Sequence, residues 1–337
     1  MASDERKTGA QRRAVTLAVS VGCPCGIGPE VAVAAAKLID PTRGRLLLVG
    51  DPSAIADAAA LRKIDLETLR HVVIVPASTL SSENRVPGKP GAAAGRAQLA
   101  AIDRALELVL TEQAEAMVTG PVSKHEIAAG GLPFIGHTEY LQQKTHASHV
   151  VMLFAGPRLR TSLVTTHLAL RDVPSAIKVD DVTRTIVMTA RSLWRDFGVE
   201  SPKVAVTGLN PHAGEHGMFG HEDRDVIAPA IADAAVVLDG IATIAGPIPA
   251  EAAFRQAKDG VWDAVVAMYH DQATIALKLL DFGDAVNVTL VLPIVRTSVD
   301  HGTGYDIAGK GIADARGMQS AIELAFTIAA RRTARPR

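Results

Sequence analysis

Cysteine is almost missing from this chain: Cys23 and Cys25 are its only two thiols, and a single proline separates them. Residues so close cannot be bridged without severe strain, so no disulfide framework is expected and a reducing, cytoplasmic setting is. Aromatic residues are scarce at 4%. No apolar run reaches the ~18 residues that would suggest a membrane-spanning helix, so no span is expected. Neither sign of charge is in surplus, since 35 Lys and Arg face 36 Asp and Glu for a formal net charge of -1. That balance excludes bulk attraction to nucleic acid or to an anionic membrane. The GxGxxG dinucleotide fingerprint is lacking too, because the spacing of Gly22, Gly26 and Gly28 does not match it. The sequence shows no internal repeat and no low-complexity tract beyond alanine enrichment.

What is present reads as α/β. A length of 337 residues exceeds a typical single core, so two domains or one elaborated α/β domain are expected. Residues 1–13 mix charges without an apolar segment and read as a disordered tail rather than a signal peptide. Short apolar strands at Ala14–Val21, Arg45–Asp51 and His71–Pro76 alternate with alanine-rich helical stretches, the pattern of a mostly parallel sheet. After GCPCGIG, Pro29 and Glu30 open a helix. That turn is open to two readings, an anion-holding helix start or a tight βα connection. Residues 92–112 carry the helical period, and a strand follows whose end places Thr119, Ser123 and Lys124 on a loop. His137 and Thr138 stand on a turn after Gly136. A hairpin ends at His167, and a helix runs from Asp172 to about Asp196. Two later strands lead to His212 and His270, and the helix after His270 carries Lys278. An amphipathic helix from Asp314 to about Arg332 closes the chain.

The stretch Val286–Asp314 is the densest in polar chemistry. Val286 to Val295 reads as a β segment that Pro293 interrupts. Arg296, Thr297, Ser298, Asp300, His301, Thr303 and Asp306 follow, interleaved with Gly302, Gly304, Gly309 and Gly311. Such residues make a poor core; the glycines allow backbone to approach a ligand and the polar groups can orient it. A plain surface turn is the competing reading. The run HGTGYDIAGKGIA, His301–Ala313, resembles the adenosine-binding loop of the isopropylmalate and isocitrate dehydrogenase superfamily. The resemblance implies that His301, Gly302, Asp306 and Ile307 bind the cofactor. A carboxylate at Asp306 suits free ribose hydroxyls and repels a 2′-phosphate, which implies NAD over NADP.

His167, His212 and His270 share one grammar, each lying at or just beyond an apolar strand in LVTTH, AVTGLNPH and VVAMYH. Carboxyl ends of strands in open α/β sheets border a common crevice. Three neutral imidazoles suit Zn²⁺ or a similar ion and leave a coordination position for substrate. No short-range spacing such as HExxH supports the site, and three unrelated histidines are the alternative.

GIGPE, GPVSK, GHTEYL, GLNPHAGE, MYHDQ and RTSVDHGT occur in the order found in the 4-hydroxythreonine-4-phosphate dehydrogenase family, which this chain resembles from about Val15 to Phe326. The resemblance implies two α/β domains flanking a cleft, isocitrate/isopropylmalate dehydrogenase-like, with mostly parallel sheets. Residues 14–122 plus 281–337 would form the cofactor side, and residues 123–280 the substrate, metal and dimerisation side. It further implies that His167, His212 and His270 bind a divalent cation (Zn²⁺, or Mg²⁺ or Co²⁺) in a site shared between the subunits of a homodimer. His137, Thr138, Lys278, Asn287 and Arg296 would hold a small phosphorylated hydroxy acid. Lys278 and Arg296 also make sense independently, because a phosphate needs cations. The implied reaction is NAD-dependent oxidation of 4-phosphooxy-L-threonine, with decarboxylation to 3-amino-2-oxopropyl phosphate, in pyridoxal phosphate biosynthesis. Candidates for the catalytic base are Lys278, Asp271 and a hydroxide at the metal.

The chain departs from the family pattern at several places. Cys23 stands where aspartate is usual, Ala273 and Ile275 where glycine and proline commonly follow HDQ, and Gly304-Tyr305 where a small and an apolar residue are expected. Three other readings stay open: a paralogue acting on D-threonate or D-erythronate 4-phosphate, a zinc hydrolase, and a non-catalytic metabolite-binding protein.

Overall fold

The computed structural model describes residues 14–334; the expected tail, residues 1–13, lies outside them. The elements in chain order are β1 (Val15–Ser20), α1 (Gly28–Leu38), β2 (Gly44–Gly50), α2 (Pro52–Leu61), β3 (Val72–Pro76), α3 (Ala92–Leu110), β4 (Ala116–Thr119), α4 (Lys124–Ala129), α5 (His137–Lys144), β5 (Val151–Ala155) and β6 (Arg160–Leu163). They continue with α6 (Val173–Ala176), α7 (Val179–Arg195), β7 (Lys203–Thr207), α8 (Ala228–Val237), β8 (Thr243–Ile248), α9 (Ala250–Lys258), β9 (Ala264–Ala267), α10 (His270–Asp281), β10 (Val286–Leu290), β11 (Arg296–Val299) and α11 (Arg316–Ala334).

All these strands join one 11-stranded sheet in the order β3-β2-β1-β4-β11-β10-β5-β6-β9-β7-β8. Pairing is parallel on both flanks and antiparallel only at β11–β10, β10–β5 and β5–β6. The fold is therefore α/β with a mostly parallel sheet, whose two flanks meet in a central antiparallel ribbon. Helices cover both faces. On the first flank, α1 and α11 cover one face, where Val31, Ala35, Ile322 and Phe326 meet Leu17, Leu46 and Val288. α3 covers the other, with Leu99, Ile102 and Leu106 against Ala18, Val49 and Met117; Ile127, Phe134, Tyr140 and Leu141 of the α4–α5 region join that cluster. On the second flank, α7 and α8 pack on one face of β7 and β9, and α9 and α10 on the other.

Three parallel flank strands, β1, β4 and β11, run one way, while β6, β9 and β7 run the other, because three antiparallel steps intervene. The carboxyl ends of the two flanks thus open on different edges of the sheet. The three strands that precede His167, His212 and His270, namely β6, β7 and β9, are mutually parallel neighbours, so their carboxyl ends share one edge as expected.

Several local expectations need correction. Val286–Val295 is not one β segment: β10 and β11 form an antiparallel pair around the turn containing Pro293. Arg296, Thr297 and Ser298, expected in a polar loop, are β11 residues with at most 5% exposure. Their polarity hid a buried strand. Thr119 ends β4, Ser123 caps α4 by accepting from Glu126 N at 3.3 Å, and Lys124 opens that helix rather than lying on a loop. His137 and Thr138 begin α5 instead of sitting on a turn. The helix expected at 172–196 is broken, with Ile177 extended between α6 and α7.

Candidate active site

The period-2 alternation of a strand decides what the sheet centre offers on each face. Val286, Val288, Leu290 and Val299 point into the α1–α11 core. Asn287, Thr289, Arg296 and Ser298 are their alternates and face the other way, beside Thr119 of β4. Arg296 is 2% exposed. Its Nε and Nη2 donate to Thr119 Oγ1 at 3.1 and 2.7 Å, and its Nη1 donates to Thr289 Oγ1 at 2.8 Å. Burial pulls this guanidinium down to about 9 against the upward pull of Glu139. Hydroxyls satisfy its geometry without neutralising its charge, so an incoming phosphate or carboxylate would gain a desolvated cation.

His137 stands over the same strip at the start of α5. Burial first, then the charges of Arg296 and Lys124, hold its imidazole well below the usual histidine range, so it is neutral at pH 7. Its Nε2 is shut from solvent without a partner, as is Asn287 Oδ1. Unpaired buried polar atoms are costly; here they sit around one cation and fit a polar ligand.

A second cluster lies where α10 meets the segment after β11. Lys278 Nζ is 3.2 Å from Asp300 Oδ2. The two residues help line a cavity of about 200 Å³ with Ile27, Phe282, His301 and Ile307. His301 Nδ1 donates to Gly302 O at 3.0 Å, and its Nε2 is buried without a partner. The loop beyond turns through left-handed Gly304, Gly309 and Gly311 and leaves Asp306 exposed. An apolar wall of Ile27 and Ile307 beside unpaired ring nitrogen and exposed carboxylate suits a nucleotide cofactor.

The histidines divide. The rings of His167 and His270 are 5.8 Å apart between centroids. His270 Nδ1 donates to Asp271 Oδ1 at 2.7 Å, which leaves Nε2 with its lone pair outward, the usual arrangement for a ligating imidazole. His212 is apart from them, 6.2 Å from the Phe219 ring by centroids. It opens a run of left-handed backbone from His212 to His216, anchored where Asp223 accepts from Leu209 N and Asn210 N at 2.8 and 3.1 Å. Non-glycine residues seldom occupy that region, and such strain clusters at working sites. Among the described residues of one chain, no group of three His, Cys, Asp or Glu could hold a metal ion. His167 and His270 fit a divalent cation in donor type, but need further ligands.

A profile of the family described as pyridoxal phosphate biosynthetic protein PdxA matches residues 42–325. The chain belongs to that family. The 4-hydroxythreonine-4-phosphate dehydrogenase of Geobacter metallireducens is 45% identical over 328 residues, covering 93% of this chain and 95% of that protein. The enzyme of the same name from Desulfosudis oleivorans is 42% identical over 328 residues, with 93% and 96% covered. The crystal structure of 4-hydroxythreonine-4-phosphate dehydrogenase from Klebsiella pneumoniae superposes with a TM-score of 0.82 at 35% identity, covering 95% of this chain and all of that one.

Within this PdxA-family chain, the structure gathers His137, Asn287 and Arg296 into one polar strip, with Thr138 following His137 in α5. Lys278, His301 and Ile307 come together at the cavity, with Gly302 next in the chain. Sequence reasoning missed Thr119 and Thr289 as Arg296 partners and Asp300 as the Lys278 partner. Strand alternation could have found the two threonines; nothing local pointed to Asp300. No helix of the described residues is long and apolar enough to cross a membrane.

Proposed function

We propose that this chain oxidises 4-phosphooxy-L-threonine with NAD as hydride acceptor, and that the resulting β-keto acid loses CO₂ to give 3-amino-2-oxopropyl phosphate, a step of pyridoxal phosphate biosynthesis. The observation that carries the reading is the Arg296–His137–Asn287 strip, a buried cation and two unpaired polar groups in a chain that belongs to this family.

In this reading Arg296 receives the substrate's phosphate or carboxylate, while neutral His137 and Asn287 orient it by hydrogen bonds. Lys278 supplies a second cation from the other flank. Asp300 holds that ammonium in place until substrate arrives. His301, Gly302, Asp306 and Ile307 hold NAD, with Asp306 accepting from ribose hydroxyls. His167, His212 and His270 hold the divalent cation, whose identity among Zn²⁺, Mg²⁺ and Co²⁺ is part of what must be measured. When bound, such an ion polarises the alcohol and favours its deprotonation. In this reading Lys278 or Asp271 takes that proton.

The metal site is completed by a second copy of the chain in a homodimer. Each histidine is followed by exposed apolar side chains: Leu168 and Leu170 after His167, Met218 and Phe219 after His212, and Ile275, Leu279 and Phe282 after His270. Exposed apolar surface of this kind marks an interaction face. The cofactor side is then residues 14–122 plus 281–337, and the substrate, metal and dimerisation side residues 123–280, with α4 and α5 docked on the former. Two buried free cysteines accord with the cytoplasm.

A second reading keeps the same chemistry and site residues but takes D-threonate or D-erythronate 4-phosphate as the substrate. Absorbance at the NADH band with each candidate phosphate decides between them. The cofactor assignment is tested by Asp306→Ala, which should raise KM for NAD about tenfold while moving KM for substrate far less. The reverse order would remove Asp306 from the cofactor site.

A further inference from the structure

Two departures from the family pattern, Cys23 in the β1–α1 turn and Tyr305 in the loop after β11, touch each other. The Tyr305 hydroxyl lies 3.4 Å from Cys23 Sγ across a sequence separation of 282 residues. Both thiols are fully buried and form a small cluster with Ala94, against which Tyr305 packs. Around this contact the loop is docked by backbone: Ile27 N donates to Thr303 O at 2.9 Å, and Gly309 N donates to Glu30 Oε1 at 2.6 Å. The 84–90 segment closes the nest from the side, with Gly88 N donating to Cys25 O at 2.8 Å. A Cβ on Gly88 would come within 2.8 Å of Tyr305 O, so only glycine fits there. Tyr305 therefore turns inward while Asp306, the next residue, is exposed.

We propose that Tyr305 is a positioning residue for the cofactor loop, its hydroxyl anchored on Cys23 so that Asp306 is presented to the dinucleotide in a fixed pose. This rests on the reading of residues 301–313 as the NAD loop. Neither departure makes the anchor alone. An apolar residue at position 305 brings no hydroxyl, and an aspartate at position 23 would bury a carboxylate among apolar groups. The thiol is well suited as the acceptor. A neutral thiol tolerates burial and its sulfur can accept from the phenol; a hydrogen bond from Cys25 is the main cause that draws Cys23 down to about 7, against burial. Burial first, then the Cys23 contact, raise the phenol against hydrogen bonds from Ser123 and Thr303, which keeps it a donor toward the sulfur.

The test compares Tyr305→Phe, Cys23→Ala and the double variant in the full-length protein. Amide hydrogen exchange over residues 302–310 is measured without NAD, alongside the NAD dissociation constant, kcat and the melting temperature. Tyr305→Phe is expected to speed exchange in the loop and weaken NAD binding about fivefold, the worth of one hydrogen bond. kcat should stay within about twofold, because the contact holds the loop rather than the reacting atoms. Cys23→Ala should reproduce part of the effect, and the double variant should be no worse than Tyr305→Phe alone. Unchanged loop exchange in Tyr305→Phe, or effects that add in the double variant, would overturn the anchor. A wild-type chain that binds no NAD would instead overturn the cofactor reading and Asp306's part in it, and the exchange data would still decide the Cys23–Tyr305 contact by themselves.

Discussion

Lys278 on α10 and Asp300 just past β11 form an ion pair at 3.2 Å that ties the second flank of the sheet to the edge of the first. Both groups are partly exposed, so the pair adds little to stability. Its value lies in where it holds a cation. Lys278→Met is expected to lower kcat/KM for the phosphorylated substrate about a hundredfold with the melting temperature hardly moved. Steady-state assays at the NADH band, run beside thermal melts, check this. Wild-type kcat/KM would take Lys278 out of the site.

A metal completed between subunits predicts complementation. His212→Ala and His270→Ala chains should each be inactive and depleted of metal after dialysis, yet folded by circular dichroism. If the ligands come from different chains, co-expressing the two should restore part of both activity and metal content through mixed dimers. Full activity of His212→Ala in metal-free buffer would end the metal assignment.

The stripe Ile275, Leu279 and Phe282 gives the proposed dimer a testable face, since Leu279 alone is 81% exposed. Leu279→Glu should place an unpaired charge in the interface and yield monomers by light scattering, with turnover lost and the fold retained. A dimer of undiminished activity would place the interface elsewhere.

Much of this was legible in the chain. The β–α alternation from β1 to β3 and the α3 period announced themselves because one residue pattern served one environment. Arg296, Thr297 and Ser298 did not, because three polar residues in a row look like a loop until the hydroxyls of Thr119 and Thr289 are known to receive the guanidinium. His137 gave no helical signal, since α5 starts from Gly136 without a side-chain cap. The strand tips of the two flanks could not be placed on different edges from sequence. That depends on the antiparallel pairing of β10 with β5 and β11, a matter of long-range register.

Acid stability should report the link between α7 and α11. Asp196 is 1% exposed, and its carboxylate accepts from Arg195 Nε and Arg332 Nε, each at 2.8 Å. Burial alone would raise its pKa, but the bonds from Arg195 and Arg332 prevail and bring it to about 2. A folded-state value depressed below the unfolded ~3.9 contributes stability above the latter and loses it as pH falls toward the former, about 2.5 kcal/mol in all. Urea unfolding at steps from pH 5 to pH 2 should show wild type losing about that much more than Asp196→Asn over the same range. Parallel slopes would mean that the carboxylate is not held as described.

Hydrogen bonding that continues without a break from β3 to β8 leaves no slack seam about which the two flanks could swing like covers of a book. Adjustment around a bound molecule must be spread as torsion through β11, β10, β5 and β6, a stiff spring rather than a clamp. Under the proposed function, choice among similar phosphorylated alcohols would then fall to the side chains already in place, Arg296 and His137 foremost, and little of it to closure.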